Sequence, residues 1–217
     1  MALKFTIVPV TPLQQNCSVI WCDETMEGAV VDPGGDLHLV TAAIEANKVN
    51  ITQILLTHGH LDHAGGATEL AQKLAVPING PHIEDKFWLD AIERQSQMYG
   101  VPGMLNCTPD RWLTEQDTIA VGHELLKIVH CPGHTPGHLV FYHEGTKLAM
   151  VGDVIFAGSI GRTDFPRGNH QQLLDSIADK LWPLGNDMRF IPGHGNMSDF
   201  GRERASNPFV SDVALGR

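Results

Sequence analysis

Positive charge is in short supply: 15 Lys plus Arg stand against 25 Asp plus Glu in 217 residues, a formal charge of −10. That average field repels a phosphate backbone, so nucleic acid is not the expected partner. Cysteine is scarce as well, with Cys17, Cys22, Cys107 and Cys131 alone. The 17–22 spacing suits neither a zinc knuckle nor a thioredoxin pair, so small, partly buried, free thiols are expected. No apolar run approaches the roughly 18–20 residues of a membrane span. The opening residues Met1 to Pro9 lack a basic stretch followed by a long apolar one, which predicts no export and a cytoplasmic location. Ser/Gly linkers, charge blocks, low-complexity tracts and short-period repeats are also missing. A single domain spanning residues 1–217 is expected, and a hydrophobic content of 42% is enough to build its core.

Histidine, by contrast, is abundant: 12 residues against two tyrosines and four tryptophans. Imidazole and carboxylate together suit zinc and iron, so this surplus in an acidic chain points toward metal chemistry.

Hydrophobic patterning predicts strands over Lys4–Val10, Cys17–Cys22, Gly28–Asp32, Ile51–Leu56 and Val76–Asn79 in the first half. Helices are predicted over Asp36–Lys48, Gly66–Leu74 and Glu84–Gln97, followed by a Gly- and Pro-containing loop over Tyr99–Pro109. The second half predicts strands at Thr118–Val121, Glu124–His130, Leu139–His143, Lys147–Gly152 and Met188–Pro192, with a helix at Gln171–Leu181. Strands cluster in both halves with helices between and after them, which fits two sheets flanked by helices better than one doubly wound sheet.

The β-branched run Ile51–Leu56 empties into Thr57-His58-Gly59-His60-Leu61-Asp62-His63. Three imidazoles and a carboxylate on so short a segment share a small volume, and ligands this close can serve two metals a few ångströms apart. Gly59 is expected to let the backbone turn tightly. Three further predicted strands each deliver a Gly-flanked ligand type: His134 in Cys131-Pro132-Gly133-His134, Asp153 after Gly152, and His194 in Gly193-His194-Gly195. Loops at strand ends are where catalytic groups tend to be held. His38, His82, His123, His143 and His170 read as ordinary surface or hydrogen-bonded residues, whereas His130 and His138 read equally well as supports for ligand side chains.

These segments, together with Val31-Asp32-Pro33-Gly34-Gly35, Pro132-Gly133-His134-Thr135-Pro136-Gly137-His138 and Gly161-Arg162-Thr163-Asp164-Phe165-Pro166-Arg167-Gly168, resemble the metallo-β-lactamase-fold hydrolases. Within them the chain is similar to glyoxalase II (hydroxyacylglutathione hydrolase) of the single-domain bacterial type, from Val8 to about Pro208. The resemblance implies an α+β, αββα sandwich with a two-metal site on one edge. His58, His60 and His134 would bind the first metal, Asp62, His63 and His194 the second, and Asp153 would bridge them. Two divalent ions are implied; zinc is expected in at least one position, with iron or manganese as alternatives. Asp62 would also orient the metal-bound hydroxide that attacks a glutathione thioester, S-lactoylglutathione giving D-lactate and glutathione. Asp32 and Asp164 are candidates to accept an N–H from ligand imidazoles, though Asp32 reads equally as a turn residue before Pro33. Arg162 would either contact a glutathione carboxylate or pair with Asp164.

Two-domain glyoxalase II enzymes add a helical domain that helps hold glutathione, and this chain runs only a short way past His194. The alternatives are therefore a mononuclear-iron persulfide dioxygenase, which shares the Gly-Arg-Thr-Asp-Phe segment, a hydrolase of other thioesters or lactones, and a non-enzymatic metal-binding module. A β-lactamase is set aside because no export segment is visible and Asp153 stands where a cysteine ligand is usual; an RNA-processing nuclease would want a basic surface.

Overall fold

The computed structural model describes residues 2–216. Strand β1 (Leu3–Val10) turns through residues 11–14 onto β2 (Gln15–Cys22), which pairs antiparallel with β3 (Glu27–Val31). Helix α1 (Leu37–Asn47) crosses over the sheet, so that β4 (Asn50–Leu55) returns parallel to β3. Helices α2 (Leu61–Ala64) and α3 (Ala67–Leu74) lead to the short β5 (Ile78–Asn79), which completes a sheet of order β1-β2-β3-β4-β5. A 3₁₀ turn (Ile83–Asp85) and helices α4 (Lys86–Leu89) and α5 (Ile92–Tyr99) follow.

The second sheet takes β6 (Thr118–Val121), β7 (Glu124–His130), β8 (Leu139–His143) and β9 (Leu148–Gly152) as an antiparallel meander. A small hairpin of β10 (Ile155–Phe156) and β11 (Ser159–Ile160) stands apart. Helix α6 (His170–Ser176) runs on into a π turn (Ile177–Leu181). Then β12 (Arg189–Pro192) joins β9 in parallel, and β13 (Ser198–Asp199) leads into α7 (Phe200–Ser206).

Side-chain alternation along the strands builds the layers. On β9, Leu148 and Met150 face inward to a cluster shared by both sheets, with Ile20, Ala29, Val31, Leu55, Leu126 and Phe141. Ala149 and Val151 face outward onto Leu173, Ile177 and Phe200 of the helical layer. On the first sheet, Cys17, Val19 and Val30 face Val40, Ile44 and Leu70 of α1 and α3. Three apolar interfaces therefore separate four layers, the αββα sandwich expected above.

Strand direction decides where the His- and Asp-bearing loops emerge. β3 and β4 run parallel in one sheet, and β9 and β12 in the other. β7 and β9 are each antiparallel to β8, so they share a direction too. The C-terminal ends of β4, β7, β9 and β12 are the four points that precede His58, His134, Asp153 and His194.

The helix expected over Glu84–Gln97 is broken in three. Asp85 turns its carboxylate inward, and α4 closes with Asp90 and Ala91 donating to the Lys86 and Trp88 carbonyls. The strand expected at Val76–Asn79 shrinks to Ile78–Asn79, because the Val76 N–H is already used on the Ala71 carbonyl at the end of α3. Phe141 is fully buried between the sheets. Phe141→Ala is expected to cost about 3–5 kcal/mol, read as a lower denaturation midpoint with an unchanged slope.

Candidate metal centre

His58 Nδ1 lies 3.0 Å from the Thr57 hydroxyl, which itself donates to Asp32 Oδ2 at 2.6 Å. The hydroxyl can therefore only accept from His58, so Nδ1 carries the ring proton and Nε2 presents a lone pair. His134 Nδ1 donates to the Arg162 carbonyl at 2.7 Å, which fixes the same tautomer. Both Nε2 atoms then aim at His60 Nδ1, at 3.1 and 3.0 Å. His60 has at most one proton to offer there, and its own Nε2 is buried without a partner. Three ring nitrogens meet with too few protons to satisfy them, and a cation completes such a set.

A second set lies beside the first. His63 Nδ1 donates to Asp32 Oδ2 at 2.9 Å and His194 Nδ1 to the Leu13 carbonyl at 3.1 Å. Their Nε2 atoms face carboxylates: His63 is 3.3 Å from Asp153 Oδ1, and His194 is 3.2 Å from Asp62 Oδ2. Asp153 reaches both sets, with Oδ2 3.5 Å from His134 Nε2 and 3.7 Å from His194 Nε2. Beyond facing each other, the buried His63 Nε2 and Asp153 Oδ1 have no hydrogen-bond partner among the described residues. The donor atoms of His58, His60 and His134, and those of Asp62, His63 and His194, each lie within 4.8 Å of one another. A further grouping of Asp32, His58 and His63 is already consumed, because Asp32 accepts from the Thr57 N–H, the Thr57 hydroxyl and His63. Buried nitrogen and carboxylate donors in two adjoining sets make this a dinuclear divalent-metal site.

The charges agree with the two halves. Burial holds His58, His60 and His134 below the ordinary histidine range, which keeps their lone pairs free. Burial also acts on His63 and His194, but Asp153 and Asp62 outweigh it and raise both. Burial pushes Asp153 up, yet His63, His134 and His194 hold it far below the usual carboxylate range.

Supporting contacts come from every side. Asp32 sits at φ 52°, a left-handed conformation costing roughly 1–2 kcal/mol for most residues but tolerated by Asp. Gly59 does not adopt positive φ; its need is space, since a Cβ there would lie 2.7 Å from Trp88 Cβ. His138 stacks on His58 with centroids 4.5 Å apart and accepts the Asp153 N–H at 3.0 Å. Asp164 corrects an expectation: it accepts from Arg162 Nε and NH2 at 3.0 and 2.8 Å and from no ligand imidazole. It is 67% exposed, and the neighbouring His134 Nδ1–H goes to the Arg162 carbonyl. Sequence patterning passed over Asn16, whose side-chain amide donates to the Pro192 and Gly195 carbonyls at 3.0 and 2.9 Å and so grips the His194 loop. It also passed over Gln15, 3.4 Å from His63 Nδ1, and Asp85, buried between two ligand loops. The only hint was polar residues standing inside or beside apolar runs.

The comparisons agree with this geometry. A family model described as the metallo-beta-lactamase superfamily matches residues 10–194. The chain is 44% identical to hydroxyacylglutathione hydrolase GloC of Haemophilus influenzae over 96% of this chain and 99% of that protein. Among solved structures, BLEG-1, described as a B3 metallo-beta-lactamase, superposes with a TM-score of 0.88 at 32% identity, over 95% of this chain and 99% of that one. The protein designated TTHA1623, solved in a di-iron-bound form, superposes with a TM-score of 0.85 at 30% identity, over 94% and 100%. With a family match that spans every converging His and Asp from Asp32 to His194, the chain belongs to the metallo-beta-lactamase superfamily.

Proposed function

We propose that the protein is a hydroxyacylglutathione hydrolase that cleaves S-lactoylglutathione to D-lactate and glutathione. In this reading His58, His60 and His134 would hold one divalent ion, Asp62, His63 and His194 would hold a second, and Asp153 would serve both. The excess of buried lone pairs over protons carries the metal part. The substrate class is supported by the identity to GloC over nearly the whole of both chains. Zinc is the proposed occupant; iron and manganese suit the same donors, and the di-iron relative keeps iron in the test. Divalent ions held there supply Lewis acidity, which acidifies a water for attack and steadies negative charge on the carbonyl oxygen.

The chain's own residues do the rest. Asp62 is held ionised against its burial by His63 and His194, so it can accept a hydrogen bond from the attacking water and orient it. The leaving thiolate has a solution pKa of about 8–9, so no protein acid is needed. Phe165 packs against His60 and His134, with ring centroids 4.8 and 5.6 Å apart, and Trp88 closes on His60 at 4.6 Å. These rings wall the first donor set against water. The Arg162 guanidinium rests over Phe165 at 4.6 Å, which holds it at the rim of that set. Its pair with Asp164 is exposed, and exposed pairs are worth little, so a substrate carboxylate can compete for it.

β-Lactam hydrolysis is a second reading, favoured by the superposition on BLEG-1. The deciding experiment measures metal content and turnover of S-lactoylglutathione, a penicillin and a cephalosporin, with oxygen uptake on glutathione persulfide. Two metals per chain and chelator-sensitive release of glutathione are expected. Faster β-lactam turnover, or one iron per chain with oxygen uptake, overturns the proposal. Arg162→Ala is expected to raise KM for the thioester several-fold with kcat nearly unchanged; an unchanged KM removes Arg162 from the substrate site. Zinc added to metal-free protein near pH 7 is expected to release protons, because the raised His63 and His194 must deprotonate to bind it. The release should fade as pH rises through those raised values; calorimetry in buffers of different ionisation enthalpy checks it.

A further inference from the structure

Asp85 is fully buried at the end of the 3₁₀ turn before α4, far in sequence from every converging ligand. Its Oδ2 accepts the Gly59 N–H at 2.9 Å and the Thr135 hydroxyl at 2.8 Å, and its Oδ1 accepts the Gly137 N–H at 2.5 Å. Gly59 stands between His58 and His60, and Thr135 directly follows His134. The carboxylate thus joins the loop after β4, from one sheet, to the loop after β7, from the other. Both loops are shaped to it: a Cβ on Gly137 would lie 2.7 Å from Asp85 Cγ. Arg167, whose charge bears on Asp85, pairs with Glu84 instead. Burial pushes Asp85 up to about 6, with the three hydrogen bonds pulling the other way; three donors converging on its two oxygens fit an acceptor-only carboxylate.

We infer that Asp85 is a positioning residue that sets the spacing of His58 and His60 against His134, and with it the affinity of the first metal position alone. Zinc–nitrogen bonds of about 2.0–2.1 Å leave tolerance of only tenths of an ångström. His60 and His134 come from the two loops that Asp85 clamps, with their facing nitrogens 3.0 Å apart. The second set is held by other means: Asp32 on His63, the Leu13 carbonyl on His194, and Asn16 on the carbonyls flanking His194. Removing the Asp85 clamp therefore loosens one position and spares the other.

The inference rests on the two-metal reading above, and its test reads metal rather than turnover. Zinc-loaded wild type, Asp85→Asn and Thr135→Val are titrated with a competing chelator, and anomalous diffraction assigns the zinc that remains. Asp85→Asn keeps the shape but offers one acceptor oxygen where three donors converge; Thr135→Val removes one donor. The expected result is native circular dichroism, at least tenfold weaker zinc at His58, His60 and His134, and wild-type retention at Asp62, His63 and His194. Thr135→Val should show a smaller loss at the same position, and it carries the test if Asp85→Asn does not fold. Wild-type affinity at both positions in both variants, or equal weakening of both positions, overturns the inference. A wild type that binds fewer than two zincs instead overturns the two-metal reading.

Discussion

The outer nitrogens of four histidines are already spent, and much else follows from that constraint. His58, His63, His134 and His194 each give one ring N–H to an oxygen outside the cluster: the Thr57 hydroxyl, Asp32, the Arg162 carbonyl and the Leu13 carbonyl. Each inner nitrogen is thereby turned toward the centre: those of His58 and His134 present lone pairs to His60, and those of His63 and His194 face Asp153 and Asp62. A buried acceptor without a partner costs about 1–3 kcal/mol. Several such costs in one place are tolerated only where something positive is expected to enter, and the pull of Asp153 and Asp62 that raises His63 has the same sign.

That arrangement in turn depends on two sheets agreeing about where their strands end. The first sheet supplies Asp32, His58, His60, Asp62 and His63; the second supplies His134, Asp153 and His194. The inter-sheet cluster around Phe141, Leu55 and Met150 fixes the sheets face to face, but apolar packing has little directional precision. Polar ties at the edge supply it: the Leu139 N–H to the Thr57 carbonyl at 2.8 Å, the Asn16 N–H to the Gly193 carbonyl at 2.7 Å, and the Asp85 carboxylate across the two ligand loops. The hydrophobic effect brings the halves together, and a few oriented hydrogen bonds set the register.

The sequence was legible where a pattern repeats over several residues. The long strands and α1 were placed to within one or two positions, because alternation and helical spacing persist over five to eleven residues in β2, β3, β9 and α1. The hairpin of β10 and β11 was not placed, since two residues per strand carry no period. Four-residue α2 was hidden for the same reason, although it carries Asp62 and His63. The converging His and Asp side chains are visible in the sequence because they cluster in it or follow strands. Asp85, Gln15 and Asn16 could not, because their partners are loop backbone and side chains brought near only by folding. Asp164 was misread for a related reason. Proximity to Arg162 in sequence made a bidentate pair easy, and a backbone carbonyl, which no sequence pattern marks, took the histidine's proton.

An acidic chain proposed to act on an anionic thioester poses a charge problem, yet the net charge of −10 is the wrong quantity to weigh. At physiological ionic strength the field of an exposed charge fades over about 8 Å, so carboxylates elsewhere on the surface contribute little at the edge of the sandwich. The nearby cations are also partly cancelled: Arg162 by Asp164, Arg167 by Glu84 and Lys86 by Asp90. The local sum is decided by the centre itself. Its neutral imidazoles add nothing, and Asp62 and Asp153 bring two negative charges against the four positive ones of two divalent ions. Burial protects that surplus from screening, so the attraction is short-ranged and concentrated where the carbonyl must arrive. Pre-pairing the rim arginines then has a use. It keeps Arg162 over Phe165, and on the proposed reading a substrate carboxylate would take the place of Asp164 at a guanidinium already in position.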